Sequence, residues 1–408
     1  MQGRLYSPGP GRRPPLMTGR DDLVAEWALQ LNEVTSDGRN AADDWLLLGP
    51  RGVGKTVLLA ELGRMAEEAG FEVLSFQAVA HGEGLMASLA AQATDRLDRE
   101  PLWERLTGWL GGVEVGFAGM RAGLDLHHRD RPARPEPRDA RMLAKRLSEV
   151  ADGVRGKRRR GGVLLTLDEI QVADPADLAL LAAVLQQASV HHGAAPLLFA
   201  ACGLPHTFAA LKAAGVTHPD RLFRVETLPV ALSPTDAKLA LVGPAQERGV
   251  AWEPAALDRA LAFTQGYPAH LQLLAAETWK RAPGPDAIAE ADVEAAIPVI
   301  AGRLETATLE PRWDELSDRE REYLAAVDLC GPEARTADVA AVLGRTQKQL
   351  SVVRAGLIRE GDLVAVRHGR IRFASPLFAQ YVRARYPQVD DELVPIERMR
   401  ARLPELEA

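Results

Sequence analysis

The 408-residue chain has only two cysteines, Cys202 and Cys330, far apart and with no metal-ligand spacing. This excludes a disulfide framework and a cysteine-built zinc site, and it suits a reducing cytosol. Long apolar runs are missing as well. No stretch approaches the roughly 20 consecutive apolar residues that a membrane helix needs. The opening MQGRLYSPGPGRRPPL has no apolar signal core. Nor is there a basic excess: the formal net charge is −7, which gives no global reason to expect nucleic acid or an anionic membrane surface. Any such contact must come from a local patch. No internal repeat is evident, and His191-His192 has no carboxylate or cysteine at ligand spacing, so no metal is assigned to it. The expectation is a soluble, cytoplasmic protein with no membrane partner. With 47% hydrophobic residues, there is core material for two or three domains.

What is present begins at residues 46–56, LLLGPRGVGKT. Gly49, Pro50, Arg51, Gly52, Val53, Gly54, Lys55 and Thr56 match the phosphate-binding loop pattern in full. In such a loop successive backbone N–H groups point inward at a phosphate, and glycine supplies the backbone angles this requires. Lys55 would reach the β and γ phosphates of ATP, and the Thr56 hydroxyl would ligate Mg²⁺. Context supports the motif: Trp45–Leu48 is an apolar strand candidate, and VLLAELGRMAEEAG (57–70) has helical apolar spacing that stops at a glycine.

Further apolar runs follow at FEVLSFQAV (71–79), VLLTLDEI (163–170), PLLFAACG (196–203) and RVETLPVAL (224–232). Helical stretches alternate with them, at about 21–33, 83–98 and 139–152 and over DLALLAAVLQQASVHHG. Five short strands alternating with helices predict an α/β fold with a parallel sheet covered on both faces. GVEVGFAG alternates like a strand, while DRPARPEPRD is a proline-broken linker. VLLTLDEIQ ends a buried strand in an acidic pair. Asp168 would hold Mg²⁺ through water and Glu169 would polarise the attacking water. The run Arg155, Lys157, Arg158, Arg159, Arg160 has two readings, a solvated loop or a nucleic-acid patch.

GRDDL at 19–23 resembles the Gly-Arg-x-x-Glu-Leu box that precedes the phosphate loop in AAA+ ATPases of the origin-recognition and initiator type, and in the related STAND ATPases. Its last acidic position is Asp22 rather than Glu, and the resemblance covers about residues 17–280. It implies that Gly19 and Arg20 lie on the adenine side of the site. It also implies that DRLFRVETL carries an arginine acting on a neighbour's γ phosphate, Arg221 first and Arg224 second. The other reading of Arg221 is a surface arginine paired with Asp220 or Glu226. GYPAHL (266–271) is similar to the Gly-x-Pro turn of the helical lid in STAND proteins. Where initiator ATPases place an arginine one turn later, this chain has His270, either a phosphate sensor or plain packing. The polar residue that the family places at the end of the fourth strand is absent, since FAACG offers only Cys202.

From Leu316 the chain parses as a helix (about 317–329), a short helix capped by Thr336, a turn at Gly344, a helix from Thr346 to Glu360 and a strand pair closed by His368-Gly369. This resembles a winged helix. Leu350, Val353 and Leu357 line one face of its third helix, which leaves Lys348, Ser351 and Arg359 facing out. Arg367, Arg370 and Arg372 cluster on the wing. Between Ser317 and Pro387 there are twelve Lys and Arg against eight Asp and Glu, a mildly basic unit on an acidic chain.

The expected organisation is a flexible arm at 1–16, a P-loop ATPase core at 17–232, a helical lid at 233–310, a winged-helix domain at 311–390 and a tail at 391–408. The expected function is an ATP-driven switch, with ATP or ADP and Mg²⁺ as ligands, whose bound state repositions the winged helix or builds an oligomer. Two alternatives stay open. One is a duplex-DNA-binding regulator that hydrolyses little ATP, and the other is a scaffold whose winged helix docks a partner protein.

Overall fold

A computed structural model of the chain describes residues 4–37, 43–78, 137–158, 160–190, 196–282, 286–367, 369–388 and 393–403. The helix expected at 83–98, GVEVGFAG, most of the proline-broken linker, Arg159, His191, His192 and His368 lie outside them. The chain divides into two compact units, Asp21–Leu48 with Lys55–Thr227, and Met1–Arg20 with Gly49–Gly54 and Leu228–Ala408.

The first unit contains α1 (Asp21–Asp37), β1 (Asp44–Leu48), α2 (Lys55–Glu68), β2 (Glu72–Gln77), α3 (Pro137–Arg158), β3 (Val163–Asp168), α4 (Pro175–Val190), β4 (Leu197–Gly203), the short α5 (Thr207–Ala213) and α6 (Pro219–Leu222), and β5 (Phe223–Thr227). The five strands form one sheet in the order β2-β3-β4-β1-β5, every pairing parallel. Their sequences read as continuous apolar runs because both faces are covered. All seven residues of β4 are buried, and Leu46, Leu165, Leu167, Phe199 and Ala201 sit at 3% exposure or less in one core cluster. Each such Leu or Phe contributes about 1.5–3 kcal/mol by leaving water.

The basic run before β3 serves this packing. Arg158 donates to the Phe71 carbonyl at 3.0 Å and to Glu72 at 2.6 Å, and Arg155 to the Thr35 carbonyl at 3.3 Å. The two glycines that follow allow close chain passage. A Cβ on Gly161 would lie 2.3 Å from the Gly70 backbone, and one on Gly162 would lie 2.0 Å from the Pro196 carbonyl.

The second unit continues with α7 (Pro234–Gln246), β6 (Ala251–Trp252), α8 (Pro254–Thr264), α9 (Pro268–Arg281), β7 (Ala287–Ile288), α10 (Glu290–Leu304), α11 (Glu310–Glu315), α12 (Asp318–Leu329), β8 (Ala334–Arg335), α13 (Thr336–Leu343), α14 (Ser351–Glu360), β9 (Leu363–Arg367), β10 (Arg370–Phe373), α15 (Pro376–Arg385) and α16 (Ile396–Ala401). Ser233 caps α7, its hydroxyl accepting from the Asp236 N–H. One core joins α7 to α10 through Leu241, Phe263, Leu274, Trp279 and Ile300. The second joins α11 to α16 through Trp313, Leu324, Leu357, Ile371, Phe378 and Met399. Strands β8, β10 and β9 form a small sheet in that order, both pairings antiparallel.

Three expectations need correction. Residues 4–16 have no regular structure, yet they are not a loose arm: Tyr6 is 2% exposed, its hydroxyl bonds the Leu241 carbonyl, and its ring meets Trp279 edge-on at 6.2 Å. One inserted aromatic holds a Pro/Gly-rich segment that composition alone marks as free. The boundary at 390/391 also fails, because Met399 is fully buried and Arg402 donates to the Val342 carbonyl at 2.9 Å. Finally, the helix expected from Thr346 begins at Ser351. Thr346 and Gln349 are bonded reciprocally, the Gln349 side chain accepting from the Thr346 N–H at 2.8 Å and the Gln349 N–H donating to the Thr346 hydroxyl at 3.3 Å, and residues 347–350 form a turn before the helix. No helix among the described residues is long and apolar enough to cross a membrane.

Candidate functional site

The sheet unit brings the acidic pair to the start of α2. Strand β4 runs between β1 and β3, so Asp168 at the end of β3 and the first turn of α2 flank the end of β4. The Thr56 hydroxyl donates to one Asp168 oxygen at 2.9 Å. The other Asp168 oxygen accepts from the Glu169 N–H at 2.9 Å and from the Cys202 thiol at 2.7 Å. Burial first, and then the Asp168 carboxylate, push the Cys202 thiol well above its usual range; it stays protonated and donates. Cys202, the one residue FAACG offers at that strand end, is thus a donor to the Asp168 carboxylate. Lys55 is 6% exposed in the same turn of α2.

Glu169 takes a left-handed backbone conformation, φ 54° and ψ 38°, uncommon for a residue with a Cβ. The Gln171 amide donates to its carboxylate at 2.5 Å and, through its oxygen, accepts from the Leu204 N–H at 3.1 Å. Gln171 therefore ties Glu169 to the chain leaving β4, a connection that sequence reasoning missed. The available signal was a polar residue two places after the acidic pair in LDEIQ.

The donor set suits Mg²⁺: a hydroxyl and a carboxylate, both hard oxygens. No cluster of three or more His, Cys, Asp or Glu that could hold an ion occurs among the described residues. Thr56 and Asp168 are the residues that would hold such a cation.

In the other unit the loop Gly49–Gly54 has positive φ at Gly52 (79°) and Gly54 (95°). Arg20 is 6% exposed and donates to the Val53 carbonyl at 3.1 Å and to the Gly19 carbonyl at 2.7 Å. Burial lowers its pKa, with Asp236 opposing. Gly19, φ 66°, leaves only 3.1 Å between a would-be Cβ and both Asp236 and Leu232. The pair Gly19-Arg20, expected on the adenine side, braces the loop and α7. Tyr267, which sequence reasoning passed over, donates its hydroxyl to the Arg51 carbonyl.

His270 is 5% exposed, with its ring 4.3 Å from that of Tyr267. Burial lowers its pKa to about 4, so it is neutral at pH 7 and packs rather than presenting a cation to phosphate. Of the two candidate arginines, Arg224 is committed within its own unit, paired with Glu26 and, at 2.9 Å, with Glu226, and stacked 4.9 Å from the Trp45 ring. Arg221 is exposed on α6.

The six residues expected to face DNA differ in exposure and in partners. Lys348 and Arg367 are exposed and Ser351 is half-buried. Arg359 pairs with Glu360 at 3.0 Å. Arg370 donates to the Glu333 carbonyl at 3.0 Å, and Arg372 has its Nε buried without a hydrogen-bond partner. Val352, at the start of α14, is 80% exposed.

Residues 17–199 match the AAA ATPase domain, and residues 306–382 match a domain of unknown function, DUF8462. No curated protein matches the chain. Among solved structures it is similar to the ORC2 protein of Aeropyrum pernix, determined as ADPNP-ADP complexes. The identity is 16% over 98% of this chain and 97% of that one, with a TM-score of 0.56. It is also similar to the Walker-type ATPase paby2304 of Pyrococcus abyssi, at 16% identity over 93% of this chain and 99% of that one, with a TM-score of 0.58. These likenesses show a shared fold, and the profile match shows an AAA ATPase domain over residues 17–199.

Proposed function

We propose that the protein is a nucleotide-driven switch that hydrolyses ATP and whose C-terminal unit is a winged helix that contacts duplex DNA. The observation that carries the hydrolytic part is the contact of Thr56 with Asp168. It puts two Mg²⁺-type oxygens at the head of α2, beside a lysine of the phosphate-loop pattern and one residue before a second carboxylate. Residues 49–56 and Lys55 would hold the phosphates, and Thr56 and Asp168 would hold Mg²⁺. When bound, the cation neutralises charge on the phosphate oxygens. Glu169 would accept the proton of the attacking water, and Gln171 fixes where its carboxylate points. Arg221, exposed, is the arginine that a neighbouring copy would use. The ADPNP and ADP of the ORC2 neighbour support the nucleotide assignment.

The order of α12, β8, α13, α14, β9 and β10 supports the winged helix as a reading, with Lys348, Ser351, Arg359 and Arg367 as the side chains available to DNA. A second reading, protein docking, is favoured by Val352, an apolar side chain left open where a base-reading helix would begin. The test is a sizing run and an anisotropy titration of the full chain on mixed duplexes, with and without a slowly hydrolysed ATP analogue. Salt-sensitive duplex affinity that changes with nucleotide is the expected result. Absence of binding below about 100 µM at moderate salt would select the docking reading.

A further inference from the structure

The carbonyls of three consecutive loop residues, Arg51, Gly52 and Val53, are each taken by a donor from outside the loop. The Tyr267 hydroxyl donates to Arg51, the Ala269 N–H to Gly52 at 3.2 Å, and the Arg20 guanidinium to Val53 at 3.1 Å. Two donors come from the GYPAH turn at the head of α9 and one from the GRDDL box, and all belong to the same compact unit as the loop. Among the described residues there are no cis peptide bonds. In a trans peptide the C=O and the following N–H point in opposite directions. Holding these three carbonyls therefore turns the N–H groups of Gly52, Val53 and Gly54 the other way, as one set. Positive φ at Gly52 and Gly54 is what lets successive amides converge on an anion.

The tyrosine is also the reason that residue 52 is glycine. A Cβ there would meet the Tyr267 hydroxyl at 2.5 Å and its ring at 2.9 Å. Tyr267 is itself 6% exposed, and its ring is backed by His270. The hydroxyl therefore cannot swing aside without repacking the head of α9.

We propose that Tyr267 and Arg20 are positioning residues which pre-shape the phosphate loop by clamping its carbonyls, so that its amides face a polyphosphate before any nucleotide arrives. Neither residue touches the ligand in this role. The proposal rests on the nucleotide-binding reading above, and it assigns Arg20 to the loop rather than to the adenine.

Because the clamp shapes amides that serve any bound polyphosphate, its loss weakens ADP and ATP alike, whereas a γ-phosphate sensor would spare ADP. The experiment uses the full chain and Tyr267→Phe, which keeps the ring on Gly52 and removes only the donor, with Arg20→Lys as the second variant. Calorimetric titration with Mg-ADP and with a slowly hydrolysed Mg-ATP analogue should show both affinities falling by the same factor, roughly 5- to 30-fold for one lost bond to a buried carbonyl. Hydrogen exchange without nucleotide should speed up at the amides of 52–54 and stay unchanged in the middle of α2, which separates loop loosening from general unfolding.

Unchanged affinity for both nucleotides in a Tyr267→Phe protein that melts like the parent would overturn the clamp and leave nucleotide binding standing. A loss confined to the ATP analogue would overturn it in favour of a sensor. A parent protein that binds neither nucleotide would overturn both readings together.

Discussion

The head of α2 and the helix and wing of the C-terminal unit were both read as ligand sites, the first for nucleotide phosphate and the second for duplex DNA. At the first, Thr56, Asp168 and Cys202 converge within hydrogen-bonding distance. At the second, the expected cations take separate partners: Arg370 donates to a backbone carbonyl, Arg372 is partly buried, and Arg359 pairs with its neighbour in sequence. Strand ends in a parallel sheet are fixed to within the strand spacing by ladder hydrogen bonds, so a residue's place in the sequence there determines its place in space. Long cationic side chains on small units choose among many nearby acceptors, and sequence position leaves that choice open.

The largest expected effect tests convergence directly. Glu169→Gln should retain nucleotide binding and lose turnover by about two orders of magnitude or more, because an amide cannot take the water's proton; single-turnover phosphate release measures it. Parent-like turnover would remove Glu169 as the base. Next, Met399→Ala should destabilise the C-terminal core by about 2–4 kcal/mol through the cavity it leaves, visible in denaturant midpoints. An unchanged midpoint would restore 391–408 as a tail.

Lys55→Ala should weaken ATP binding at least about tenfold, roughly 1.4 kcal/mol, by removing the compact cation of the loop, with calorimetry as the check. His270 supplies a smaller, pH-dependent effect. Its pKa is about 4 in the fold and about 6.5 unfolded, so as pH falls the unfolded chain takes up the proton first. Stability contributed by neutral His270 is full above about pH 6.5 and drains away down to about pH 4. Between pH 7 and pH 5.5 the parent should lose about 1 kcal/mol that a His270→Gln variant does not lose. Equal losses in thermal melts would show that His270 is not the titrating group.

The smallest effect concerns the separate partners of the cations. If duplex DNA binds, Arg367→Ala should lower affinity a few-fold and flatten its salt dependence by about one charge. Arg372→Ala should leave the salt slope alone. Anisotropy at several salt concentrations tells the two apart, and equal slopes would mean that the wing acts as one cationic surface.

Much of this is legible in the sequence. Five apolar runs alternating with helical spacing define a parallel sheet because burial on both faces leaves no room for polar residues. The loop pattern and the acidic pair are readable because their chemistry depends on backbone conformation and on strand termini, both local properties. The same holds for Ser233, whose cap needs only the residues beside it.

The tertiary structure alone decided the rest. It buried Tyr6, in a segment whose composition suggests mobility, and Met399, in the expected tail, because a single large side chain in a core outweighs the preferences of its flanks. It sent Arg20 to the carbonyl of Val53, made His270 a neutral packing residue against Tyr267, and tied Gln171 to Glu169. Each of these is a choice of partner among groups distant in sequence or free to rotate. Such a choice is set by burial and by the need to satisfy every buried donor and acceptor, conditions that exist only once the chain has folded.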